Sequence, residues 1–190
     1  KPRAPNPGPD AQPFRGLVWW AKNNRATLSD TFRVAHPQHP RGADVVPISC
    51  PGDAYAFFGE TVAHNFSRIA TRLTIDANVL LVPIPSSEVT PATLDTARWP
   101  ARRLAEALEA QGIGKVTLAL AHRRVLPPRH EVPRKAPEIA SELVRLQTVE
   151  PWEPVAFVDD LITWGDSIAA ADHVLETEDE PAAIVVGFTE

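Results

Sequence analysis

The sequence predicts an α/β protein: a central, mostly parallel sheet with helices on both faces, joined to an N-terminal hood of helix and strand. Three observations predict it. Apolar, partly β-branched runs recur at Val79–Ile84, Lys115–Ala121, Val155–Val158 and Ala182–Phe188, each about as long as a buried strand. Segments between them carry apolar residues at three- and four-residue steps, the helical period. Strands that alternate with helices over residues 78–190 must be joined by crossovers, which gives parallel pairing with helices packed on the faces. The 190 residues suffice for one domain with a sizeable core.

Along the chain, residues 1–13 hold five prolines and no apolar period, which predicts an extended, disordered tail. Residues 14–76 form the hood segment. Leu17 to Trp20 fit a strand or a first helical turn, and the Trp pair suits the core better than stacking on a base. His36 and His39 lie in a loop by their Pro and Gly neighbours, and no acidic or Cys residue completes a metal set. Ala43–Ser49 reads as a short strand. Asp53 then reads as an N-cap, and Phe58, Val62, Phe66, Ile69 and Leu73 describe one amphipathic helix, with His64 and Arg68 off its apolar stripe.

Residues 77–190 form the α/β core. Asn78–Pro85 is read as a central parallel strand, and Pro91–Pro100 as irregular. Ala101, Leu104, Ala105 and Leu108 mark a helix closed by Gly112 and Gly114. Lys115–Ala121 is read as one strand. His122–Lys135 is basic, proline-rich and aperiodic, which predicts a loop held down by little. Ile139, Leu143 and Leu146 mark a further helix. Ala182–Phe188 is the last strand.

Composition bounds the function classes. The net charge of −5 argues against a protein that coats nucleic acid. The single Cys50 excludes an internal disulfide and a Cys-cluster zinc site, and fits a reducing compartment. No apolar run approaches the roughly 20 residues of a membrane span, and no secretory signal is visible. A cytoplasmic location is the expectation.

The chemistry concentrates in Val155–Ser167. The apolar run Val155–Val158 ends in Asp159-Asp160, and Thr163-Trp164-Gly165-Asp166-Ser167 turns into a helix with Ile168, Ala171, Val174 and Leu175 on one face. A strand, an acidic pair and a glycine turn into a helix would place backbone N–H groups where a phosphate binds, beside carboxylates that accept hydrogen bonds from sugar hydroxyls. A plainer reading of the same residues is a turn Asp pair capping an ordinary helix.

This stretch resembles the ribose-phosphate motif of the type I phosphoribosyltransferases, on Phe157, Val158, Asp159, Asp160, Leu161, Ile162, Thr163, Gly165 and Ser167. Trp164 departs from the small residue usual there, and Asp166 adds a negative charge beside the expected phosphate. The resemblance covers roughly residues 78–190. It places a pyrophosphate loop at Pro85-Ser86-Ser87-Glu88 and a mobile basic loop at His122–Lys135. Leu80, Val82-Pro83-Ile84-Pro85 and the Leu104-Ala105 helix look most like the ComF-type branch, which is linked to DNA uptake. That branch usually carries a Cys-rich zinc ribbon, which these residues do not provide, so the competence role is not carried over.

The resemblance implies a Mg²⁺-dependent glycosyltransferase of nucleotide metabolism. It would move ribose 5-phosphate between phosphoribosyl pyrophosphate (PRPP) and a nucleobase-like nitrogen acceptor. Asp159 and Asp160 would be the catalytic pair, holding the ribose hydroxyls and the metal, directly or through water. Thr163, Trp164, Gly165, Asp166 and Ser167 would hold the 5′-phosphate, with Trp164 over the rim near the ribose or acceptor. Pro85, Ser86 and Ser87 would meet the pyrophosphate, and Arg123, Arg124, Arg129, Arg134 and Lys135 would close over it. A homodimer is compatible with this family. Two other classes stay open: a non-catalytic regulator that binds PRPP or a nucleotide, and an accessory module in nucleic-acid processing.

Overall fold

The computed structural model of the chain describes residues 21, 32–35, 45–48, 50–73, 79–127, 132–162, 165–178 and 182–188. The disordered-tail expectation for residues 1–13, and Trp19, Trp20, His36, His39 and Arg68, lie outside those residues or outside the described side chains.

The first described strands, β1 (Phe32–Ala35) and β2 (Val45–Ile48), pair antiparallel, with Phe32 opposite Ile48 and Ala35 opposite Val45. Helix α1 (Pro51–Leu73) follows. Its start corrects the N-cap expectation for Asp53. Pro51 is the first helical residue, where its missing N–H costs nothing. Asp53 sits three residues past Cys50, and its carboxylate accepts the Cys50 N–H at 3.1 Å. That bond is the returning half of a capping box, with Cys50 at the cap itself.

The core sheet is four parallel strands in the order β4-β3-β7-β8: β3 (Leu80–Pro83), β4 (Lys115–Val116), β7 (Val155–Ile162) and β8 (Ala182–Phe188). Leu80 aligns with Lys115 on one side and Val155 on the other, and Ala156 aligns with Ala182. Alternation along a strand sends neighbouring residues to opposite faces. Leu81, Ala156, Val158 and Ile184 therefore share one face with Phe57 and Phe58 of α1 and with Leu104, Ala105 and Leu108 of α2 (Pro100–Ala110). Val82, Val155 and Phe157 share the other face with Ile139 of α3 (Ala136–Glu142) and with Ala170, Ala171 and Leu175 of α4 (Asp166–Leu175). Both faces are covered, which is why these strands read as continuous apolar runs rather than alternating ones. Ala21 and Ile48 pack in the first of these clusters, so both hood residues contribute to the core of the sheet.

Helices α1 and α2 meet at Gly59, where a β-carbon would stand 2.9 Å from the carbonyl oxygen of Ala107. Only glycine permits that approach. Among the described residues no helix is long and apolar enough to cross a membrane.

Two elements differ from the sequence expectation. The single strand expected over Lys115–Ala121 is two: β4 ends at Val116, and β5 (Leu120–His122) leaves for a second sheet, antiparallel to β6 (Leu143–Arg145). Between them Thr117 still donates to the Leu81 carbonyl at 2.9 Å, but its own carbonyl turns back to accept from Ala119. That tight local bond ends the parallel ladder. The helix expected through Leu146 stops at Glu142, because Leu143 adopts an extended backbone and begins β6. Ile139 and Leu143 are both buried in the same cluster, so their four-residue spacing holds across a helix–strand junction.

Candidate functional site

The chain leaves β3 through α2 to reach β4 on one side of the sheet. It leaves β7 through α4 to reach β8 on the other. The two connections diverge from adjacent parallel strands, and such a switch point leaves a crevice outside the strands' carboxyl ends. Pro85–Glu88, Asp159-Asp160 and the start of α4 all stand at that edge.

On the β3 side the last rung is the Ile84 N–H donating to the Val158 carbonyl at 2.8 Å. The indole N–H of buried Trp99 donates to the Ile84 carbonyl, also at 2.8 Å. The Ser86 hydroxyl donates to the Arg98 carbonyl at 2.5 Å, and the Ser86 carbonyl accepts from Val89 at 2.9 Å. Pro85 is buried, and Ser86 and Ser87 are half-buried. The loop is thus fixed by α2's approach before any ligand arrives.

On the β7 side the strand continues four residues past its last partner on β3, from Val158 to Ile162. The acidic pair lies inside this extension. The Val158 carbonyl points to β3, so two residues on the Asp160 N–H points the same way, past the end of β3 and into the crevice. It donates to the Asp159 carboxylate at 2.8 Å, which draws that side chain over the crevice. The pair divides between the faces. Asp159 is half-buried on the α4 face, while Asp160, 8% exposed, lies on the α1 face with Tyr55. Burial, then the Asp160 charge, pushes the Tyr55 hydroxyl up to about 12, against smaller opposing effects of Arg103 and Arg98. Tyr55 therefore stays a neutral phenol beside the carboxylate.

Helix α4 begins after Gly165, whose φ of 73° is a left-handed conformation that favours glycine. Its first internal bond is the Ala169 N–H to the Gly165 carbonyl, so the N–H groups of the first turn face out of the helix toward the crevice edge. Ser167 is half-buried in that turn. The Asp166 carboxylate accepts from the Ala136 N–H at 3.2 Å and pairs with Lys135 at 3.7 Å. The charge that looked out of place beside a phosphate therefore caps α3. Thr163 and Trp164 lie outside the described residues.

The basic segment after β5 touches both rims. Leu126 donates to the Ser87 carbonyl at 2.8 Å, and Lys135 and Ala136 meet Asp166. Its described cations are engaged with the protein. Arg123 donates to the Ser141 carbonyl at 3.1 Å, and Arg124 pairs with Glu142 at 2.6 Å. The Arg124 hydrogen bond holds the Glu142 carboxyl below its ordinary range. Arg134 donates to the Pro127 carbonyl. Arg129 lies outside the described residues.

Trp99 and Tyr55 were not legible as site residues. Each left a signal. Trp99 directly precedes the Pro that starts α2, and Tyr55 stands three residues before Phe58 on the apolar stripe of α1.

Among the described residues no group of three or more His, Cys, Asp or Glu side chains converges as a metal cage. Mg²⁺ commonly takes one or two carboxylates, several waters and substrate phosphates. Asp159, half-exposed over the crevice, fits that mode. No protein-family model matches the chain, and no curated protein matches it.

Proposed function

We propose that the protein is a phosphoribosyltransferase that moves ribose 5-phosphate between PRPP and a nucleobase-like nitrogen acceptor, with Mg²⁺. The observation that carries this reading is the acidic pair at the β3/β7 switch point, between a rigid serine loop and the N-terminus of α4.

In the reaction the bond from the ribose C1 to the pyrophosphate oxygen breaks, and its electron pair leaves with pyrophosphate. A bond from C1 to the acceptor nitrogen forms, and that nitrogen loses a proton. The carbon passes through an oxocarbenium-like state, so positioning and electrostatics dominate. In this reading Asp159 and Asp160 hold the ribose hydroxyls, and their charges favour the developing cation. The first turn of α4, with Thr163 to Ser167, takes the 5′-phosphate on backbone N–H groups and hydroxyls. Ser86 and Ser87 meet the pyrophosphate. Asp159, with Asp160 through water, would hold Mg²⁺, which when bound neutralises charge on the leaving group.

The reading is tested by incubating the chain with PRPP, Mg²⁺ and a panel of nucleobases and assaying free pyrophosphate. Release that depends on one acceptor supports a transferase. Binding of PRPP without release for any acceptor would replace it with a regulatory binding protein.

A further inference from the structure

We infer that Arg98 and Arg103 form a diphosphate seat on the α2 side of the crevice, across the acidic pair from the N-terminus of α4. The seat deepens the PRPP reading and stands only with it.

Topology places both residues. A helix that follows a parallel strand runs back along the sheet, so the first turn of α2 stands at the carboxyl edge of β3. The bond from the Ser86 hydroxyl to the Arg98 carbonyl fixes that turn against the serine loop. Both guanidinium groups act electrostatically on Tyr55, the residue that also feels Asp160. Tyr55 also packs in one cluster with Leu104 and Ala105 of α2, so Arg98, Arg103, Tyr55 and Asp160 share one side of the crevice.

The pairing of these arginines differs from that of their neighbours. Arg102, on the same turn, is occupied by Glu106 at 2.7 Å, Asp95 at 3.6 Å and the Leu94 carbonyl at 3.0 Å. Arg123, Arg124, Arg134 and Lys135 are occupied as described above. Arg98 and Arg103 are exposed and make no ion pair among the described residues. Two exposed arginines around the start of α2, whose main chain is tied to the serine loop at Arg98, with no carboxylate paired to them, suit a ligand carrying several anionic oxygens, which arginine can grip in pairs. The other anion seat, at α4, lies beyond the acidic pair. That order suits a sugar with a phosphate at one end and a diphosphate at the other.

The test is calorimetry on the full chain with Mg²⁺, using pyrophosphate and ribose 5-phosphate as separate probes. Arg98→Gln with Arg103→Gln should weaken pyrophosphate by roughly tenfold or more, the scale of one charged hydrogen bond lost. Ribose 5-phosphate should bind as before, and Arg98→Lys with Arg103→Lys should recover part of the pyrophosphate affinity. Unchanged pyrophosphate affinity in the Gln pair would overturn the seat. So would equal weakening of both probes, which reports charge or folding in general. If the natural chain binds ribose 5-phosphate but no pyrophosphate, the seat fails and the sugar site stands. If it binds neither, the PRPP reading fails and the seat with it.

Discussion

At the residue scale, Asp159 and Asp160 are adjacent in sequence but have different surroundings, because a strand sends neighbours to opposite faces. Asp159 folds over the crevice, and Asp160 is enclosed with Tyr55. Tyr55 is the chain's single tyrosine, so its ultraviolet titration reports one group. The phenol should titrate near 12 rather than at the ordinary 10, and Asp160→Asn should lower the midpoint. The linkage sign follows. A phenol whose value rises on folding contributes stability that is fully present below 10 and is lost as pH rises toward 12. A midpoint at 10 in the folded protein would contradict the burial of Tyr55 and its nearness to Asp160. Trp99→Phe removes the donor to the buried Ile84 carbonyl and should cost about 1–3 kcal/mol in denaturant unfolding. A loss near zero would show that α2 does not hold the serine loop through this bond. The acidic pair was legible because its motif is local. Tyr55 and Trp99 were not, since their partners lie 105 and 15 residues away, at Asp160 and Ile84, and only the fold brings them together.

At the element scale, apolar spacing found the helices and the four strands of the parallel sheet but not their ends, and it missed β1 and β6. Ile139 and Leu143 keep a helical interval while the backbone between them changes from helix to strand. Burial alone sets such a pattern, and either element can satisfy it. Asp166 shows the converse: its role is to cap an element 30 residues earlier, which no local pattern displays. Asp166→Ala should release the start of α3, costing about 0.5–2 kcal/mol as lost caps do. Faster amide exchange at Ala136 should accompany it, and exchange at the natural rate would contradict that link. Helix propensity favours Ala over Gly by about 1 kcal/mol. Gly59→Ala should nevertheless destabilise, because the new methyl overlaps the Ala107 carbonyl and overpacking typically costs about 1–3 kcal/mol. A gain in melting temperature would show that α1 and α2 can separate without loss.

At the scale of the whole molecule, a parallel sheet with both faces covered followed from strand–helix alternation, and the structure has that sheet. Strand order was not legible. Alternation shows that β3 and β7 are parallel, but not that they are neighbours whose connections diverge. That adjacency brings Ser86, Asp159, Asp160 and the N-terminus of α4 to one edge across 80 residues of sequence, from Ser86 to Asp166. The central claim is that this edge binds PRPP through the acidic pair. The most direct measurement is calorimetric titration of Mg²⁺-PRPP into the natural chain and into Asp159→Asn with Asp160→Asn, with circular dichroism confirming the fold. The account predicts saturable binding to the natural chain and its loss in the folded double variant. Equal affinity in both, or no binding to the natural chain, would contradict it.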